Sequence, residues 1–104
     1  MNGQAALTEA VYYILLSLKE PMHGYGIMQN VEKLSRGRVR LAAGTLYGAI
    51  NTLLEKGWIR ALEGSDVRKK EYQTTESGMQ VLRAEYARLC ELVENGKSIG
   101  REEQ

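Results

Sequence analysis

The side chains best suited to chemistry fall in three short stretches: His23-Gly24-Tyr25-Gly26, Gly44-Thr45-Leu46-Tyr47 followed by Asn51, and Arg68-Lys69-Lys70. Hydroxyls, an amide and cations beside glycines suit an anionic partner, because such groups donate to phosphate oxygens and base edges while Lys and Arg supply the attracting field. The same inventory is poor for catalysis. There is one histidine and one cysteine, Cys90. No Ser/His/Asp set, thiolate zinc cluster or intrachain disulfide framework can be built from them. Neither a Gly-rich phosphate loop nor a paired-carboxylate motif stands out, so the chain is not expected to be an enzyme and no metal or cofactor is expected. His23 reads as a capping or packing group rather than a ligand or a pH switch.

Charge supports the anionic partner. The net charge of +1 over 104 residues conceals a segregation. Residues 36–70 carry eight basic and three acidic side chains, a net +5, whereas residues 1–35 stand at −1 and residues 71–104 at −3. Such a basic middle is the pattern of a cationic binding surface, with a solvated Arg- and Lys-rich loop as the plain alternative. Apolar residues at 43% and charged residues at 26% are an ordinary globular mix. The longest apolar run, Ala10 to Leu16, is seven residues, far below the ~20 of a membrane-spanning helix. With no secretory signal visible at the start, the expected address is a reducing cytoplasm.

The elements that must position these residues follow from periodicity. Leu7, Ala10, Val11, Ile14, Leu15 and Leu18 recur at helical spacing, with Thr8 as N-cap and Pro21 as the stop. After a break at Met22-His23-Gly24, Ile27, Met28, Val31 and Leu34 line a second helix. Arg38 to Leu41 alternates and suits a very short strand or an extended lead-in. Leu46, Ile50, Leu53 and Leu54 line a third helix, which Gly57 ends. Trp58–Leu62 and Arg68–Thr74 flank Gly64-Ser65-Asp66, which reads as a β-hairpin. Three helices followed by a hairpin make a winged helix-turn-helix, a mainly α (α+β) fold that commonly aims a helix at DNA.

A fourth helix closes the pattern. Thr75 can cap it, and Met79, Leu82, Tyr86, Leu89 and Val93 are spaced 3, 4, 3, 4, as in a coiled-coil seam. A helix from Glu76 to Asn95 is longer than a compact three-helix core can cover, so a partner helix is expected, most simply from a second copy. Cys90 reads as a small apolar group of that interface. The predicted organisation is therefore a loose N-terminal tail (1–6), a winged domain (7–75), a C-terminal dimerisation helix (76–95) and a loose tail (96–104).

Three stretches in register carry a resemblance to a known family. They are His23-Gly24-Tyr25-Gly26-Ile27, then Gly44-Thr45-Leu46-Tyr47 continuing from Ala49 to Ile59, and Arg68 to Gly78. In order and spacing they resemble the PadR family of bacterial transcriptional regulators, in its compact branch with a single C-terminal helix. The resemblance implies a dimeric repressor on a partly palindromic operator, with helix 3 in the major groove, the wing beside it and the last helix forming the dimer. It leaves open a small-molecule effector that releases the DNA.

On these grounds Tyr25, Gly44, Thr45, Tyr47, Asn51, Arg68, Lys69 and Lys70 are the candidate DNA-binding residues. Met79, Leu82, Tyr86, Leu89, Cys90 and Val93 are the candidate dimer interface. Gly44 lets the backbone approach closely at the start of helix 3, where free N–H groups attract phosphate. Asn51 lies one turn beyond Tyr47 on the same face. The competing roles are a packing aromatic for Tyr47 and Tyr25, a solvated amide for Asn51 and a charged edge strand for the wing cations. By strand alternation Arg68 and Lys70 share a face with Tyr72, and Lys69 points away. Arg36, Arg38 and Arg40 are expected to add general cationic field.

Departures from the family pattern bear on helix 3. Ala42 and Ala43 stand where a serine cap and a proline are frequent, and Gly48 replaces a proline. They weaken the start of the recognition helix, which is expected to be soft and to order on DNA. The aromatic-drug stacking of some compact members uses tryptophans on the last helix, which this chain lacks. The alternative function is a winged-helix protein-interaction module without sequence-specific DNA binding.

Overall fold

The computed structural model describes residues 6–63 and 69–102. The turn Gly64-Ser65-Asp66, Arg68 and most of the expected N-terminal tail lie outside the described residues.

Local sequence accounts for each helix. α1 (Glu9–Ser17) starts at Thr8, whose Oγ1 accepts the Val11 amide at 3.1 Å, with Glu9 in the first turn. α2 (Gly24–Leu34) starts at His23, whose Nδ1 accepts the Gly26 amide at 3.2 Å. The single histidine is thus a helix cap. α3 (Ala43–Lys56) starts at Ala42 with no side-chain cap and ends at Gly57, which takes the left-handed conformation with φ 76°. α4 (Glu76–Asn95) starts at Thr75, whose Oγ1 accepts the Gly78 amide and donates to the Gly57 carbonyl.

The sheet has three antiparallel strands in the order β1 (Met22–His23), β3 (Glu71–Thr74), β2 (Ile59–Leu62). β3 pairs with β2 from Ile59 opposite Thr74 to Leu62 opposite Glu71, and with β1 through Met22 opposite Tyr72 and His23 opposite Glu71. The core joins Ile14, Leu15 and Leu18 of α1 with Ile27 and Val31 of α2, Leu46, Ile50 and Leu53 of α3, Ile59 and Tyr72 of the sheet, and Leu82 of α4. Polar groups inside it are matched. Thr74 donates its N–H to the Leu18 carbonyl and its hydroxyl to the Leu15 carbonyl, satisfying the end of α1. Ser17 accepts from the Asn30 amide and so fastens α1 to α2.

Three expectations require correction. The pair Met22-His23 is not a plain break but a strand, because β3 offers its second edge to it. Of the two readings of Arg38–Leu41, the extended lead-in is the one found, with the Val39 N–H donated to the Ser35 hydroxyl at 2.9 Å. The expected loose tail after Gly96 instead contains a short helix, α5 (Lys97–Glu102). Leu82 is buried in the chain's own core, and Met79 packs against that core. Leu82 is therefore unavailable to a partner, and burial of one such side chain stabilises by about 1.5–3 kcal/mol. No described helix is long and apolar enough to cross a membrane.

Candidate nucleic-acid interface

α3 exposes one face made of Gly44, Thr45, Tyr47, Gly48, Asn51 and Thr52, opposite the buried Leu46, Ile50 and Leu53. A Cβ added at Gly44 or Gly48 would meet nothing within 4 Å, so at these two positions the outer surface of α3 is bare backbone open to a close partner. Thr52 turns its hydroxyl to the Gly48 carbonyl at 3.2 Å. The helix dipole at the uncapped start is available to an anion, since Ala42 provides no side-chain acceptor.

Tyr47 reaches from α3 across to α2. A Cβ at Gly24 would overlap the Tyr47 hydroxyl and stand 2.7 Å from its Cζ, so the tyrosine tip rests on the bare backbone where α2 begins. The ring is still 44% exposed, and Tyr25, the residue after that glycine, is 64% exposed. Tyr47 is thus both packed and accessible, and the two roles weighed for it are compatible. Tyr72 on the central strand lies close by; burial, with a smaller contribution from Tyr47, raises its phenol above the ordinary tyrosine value.

The two-residue strand gathers the rest. Because His23 pairs with Glu71, the ladder brings the start of α2 beside Lys69 and Lys70, which immediately precede Glu71. Both lysines are exposed. Strand alternation does not assign their faces, because β3 begins at Glu71 and Lys69 and Lys70 lie before it. Arg68 is outside the described residues. Tyr25, Tyr47 and the lysine pair thus meet where α2, α3 and the wing converge, while Gly44, Thr45 and Asn51 extend the same surface along α3.

The arginines before α3 contribute less field than their number suggests. Arg38 is hydrogen-bonded through Nε and Nη2 to the Glu9 carboxylate, and Arg40 stands 3.5 Å from Glu32. That hydrogen bond to Arg38 holds Glu9 below the usual carboxylate range. On the neighbouring hairpin Arg60 donates to Gln73 at 3.0 Å. Sequence reasoning missed the seat that Gly24 provides for Tyr47, since a glycine beside a histidine gives no hint of which ring lies on it.

α4 extends beyond the core that its first half joins. Gly78 is its closest approach: a Cβ there would overlap the Trp58 carbonyl oxygen and lie 2.7 Å from Thr74 Cγ2. Beyond Glu85 no residue of α4 is buried. Tyr86 is 62% exposed and Val93 71%, with Cys90 also exposed and Leu89 half-buried. The neighbouring Cys90 raises the ionisation of Tyr86 above its ordinary value.

Three helices, a paired hairpin and an outward-facing third helix define a winged helix-turn-helix DNA-binding protein. The profile of the transcriptional regulator PadR-like family matches residues 12–84, so the chain belongs to that family. A PadR family transcriptional regulator from Eggerthella lenta superposes with a TM-score of 0.69 at 27% identity, covering 86% of this chain and 79% of that one. A PadR family transcription regulator from Clostridium difficile gives 0.68 at 20% identity over 88% of this chain and 96% of that one. Bacillus subtilis PadR in complex with operator DNA gives 0.63 at 24% identity, covering 78% of this chain and 48% of that one. The last two likenesses show the fold. No curated protein sequence matches the chain. The protein is a transcriptional regulator with a DNA-binding fold and not an enzyme.

Proposed function

We propose that the chain is a homodimeric repressor that binds a two-fold-symmetric DNA operator, reading it with α3 and gripping its backbone with the wing. The observation that carries this reading is the β1–β3 pairing, which collects Tyr25, Tyr47 and Lys69-Lys70 beside the open face of α3. Tyrosine hydroxyls and lysines at the edges supply phosphate contacts, and Thr45 and Asn51 face where base edges would lie. Arg68 belongs with the wing cations by its place in the sequence. The B. subtilis relative, solved with operator DNA, supports the same partner here.

Dimerisation rests on α4. Tyr86, Leu89, Cys90 and Val93 form an uncovered apolar strip, and a second copy covers it most simply. Met79 and Leu82 are the intrachain continuation of that strip. A small-molecule effector that releases the operator and a cytoplasmic location complete the reading. The competing interaction-module function draws on the missing α3 cap and on the neutralisation of Arg38 and Arg40.

A gel-shift titration at several salt concentrations tests the proposal. Preference for a two-fold site with half-sites ~10 base pairs apart is expected. Replacing Lys69 and Lys70 by alanine shallows the slope of log affinity against log salt by up to about 0.9 for each phosphate they neutralise. Equal binding to all promoter-sized fragments, with no change in the double variant, would instead favour the interaction module.

A further inference from the structure

Glu85 is a carboxylate only 2% exposed, on the face of α4 turned to the domain. It makes no contact with the face assigned to DNA. Its Oε2 accepts the Leu7 amide at 3.2 Å, and Arg88 clasps both oxygens, Nε to Oε1 at 3.0 Å and Nη2 to Oε2 at 2.6 Å. Leu7 stands directly before Thr8, the cap of α1, so the bond fastens the start of α1 to the flank of α4. Gly78, Leu82 and Glu85 follow one another at spacings that place them on one side of α4, and Glu85 is the last buried residue of the helix. After it, α4 projects as an arm.

We propose that Glu85 is a positioning residue for DNA binding: by holding the Leu7 amide it fixes the angle at which α4 leaves the winged domain, and so the separation of the two reading helices in the dimer. The inference rests on the dimeric reading above. The stretch of α4 from Glu85 to Asn95 spans about 15 Å at ~1.5 Å per residue. A tilt of about 13° about Glu85 moves the end of that arm by ~3.4 Å, one base-pair step along a strand. A small loosening at this joint is therefore enough to blur half-site spacing by a base pair. An apolar side chain would hold α4 to the core without setting direction. A carboxylate that accepts from a fixed backbone amide on one side and a guanidinium on the other defines an angle as well.

The same loop of contacts continues toward α3. Glu9, two residues after Leu7, holds Arg38 in the lead-in to the reading helix. The first residues of α1 thus touch both the arm and the approach to α3, and Glu85 sets where they lie.

The test uses a duplex selected by the full chain from a random library, and the same duplex with one base pair inserted at its centre. The wild-type chain is expected to bind the parent about tenfold or more tighter than the insertion. Glu85→Ala leaves a cavity, so Glu85→Leu, which fills the space with apolar atoms, is the second variant. Either variant that is folded by circular dichroism and dimeric by light scattering is expected to bind the two duplexes within about twofold of each other. Glu85→Gln, which keeps an acceptor for the Leu7 amide, is expected to restore most of the discrimination. Wild-type discrimination by Glu85→Leu overturns the inference. A wild-type chain that stays monomeric or selects no two-fold duplex overturns the dimeric reading itself, a result visible before any variant is compared.

Discussion

α3 and α4 each keep one face out of the core, yet they are built on opposite terms. α4 is capped by Thr75, seated by Gly78 on the Trp58 carbonyl and pinned by Leu82 and Glu85. α3 begins without a side-chain cap and carries glycines at 44 and 48 with nothing around them. Glycines in the two helices therefore mean different things. Gly78 is a spacer that packing demands. Gly44 and Gly48 are costs to the helix that the chain's own packing does not require, and the proposed function accounts for them by a close DNA partner. In the proposed reading, the arm that sets geometry is fastened by a cap, a close glycine contact and a buried carboxylate, whereas the helix that reads begins without a side-chain cap.

The largest test of this contrast is Gly78→Ala. Its new methyl meets backbone, which cannot turn aside, so the gain in helix propensity is outweighed and a loss of about 3 kcal/mol is expected in urea unfolding. Indifference to that change would break the comparison. Thr75→Ala removes the cap of α4 and the bond to Gly57, with an expected loss of about 1–2 kcal/mol in the same assay. On α3 the sign reverses. Ala42→Ser supplies the missing acceptor and is expected to stabilise by about 1 kcal/mol. Gly48→Ala adds up to about 1 kcal/mol while weakening DNA binding in a gel shift, because a methyl then stands on the open face.

The smallest effect is one of pH. Hydrogen bonding to Arg88 holds Glu85 below the usual carboxylate range, against the opposing effect of burial. A depressed value means the unfolded chain takes up the proton first as pH falls, so this stabilisation is present above about pH 4 and is lost as acid passes through the lowered value. The thermal midpoint is expected to fall below that pH, and Glu85→Gln to flatten the fall.

Helix positions were legible because each carries its own periodicity and punctuation: Thr8, Thr75 and Gly57 announce ends that the structure keeps. The residues named for α3 also lie on its exposed face, because Leu46, Ile50 and Leu53 determine which side turns inward. Two residues are too few to show alternation, so Met22-His23 became a strand only through its pairing with β3. The site's assembly was hidden with it. Heptad spacing marked an apolar strip on α4 but not where the chain's own core stops using it, which is why Leu82 belongs inside and Val93 outside. Arg38 and Arg40 looked like field because their partners, Glu9 and Glu32, are distant or unremarkable in sequence.

The lone tryptophan stands at the joint between the two contrasted helices. Trp58 follows the end of α3, carries Lys56 5.1 Å above its ring and lends its carbonyl to the close approach of α4. Its emission is consequently a native optical gauge of that joint, readable in the unlabelled protein when an operator duplex or a small aromatic compound is titrated in.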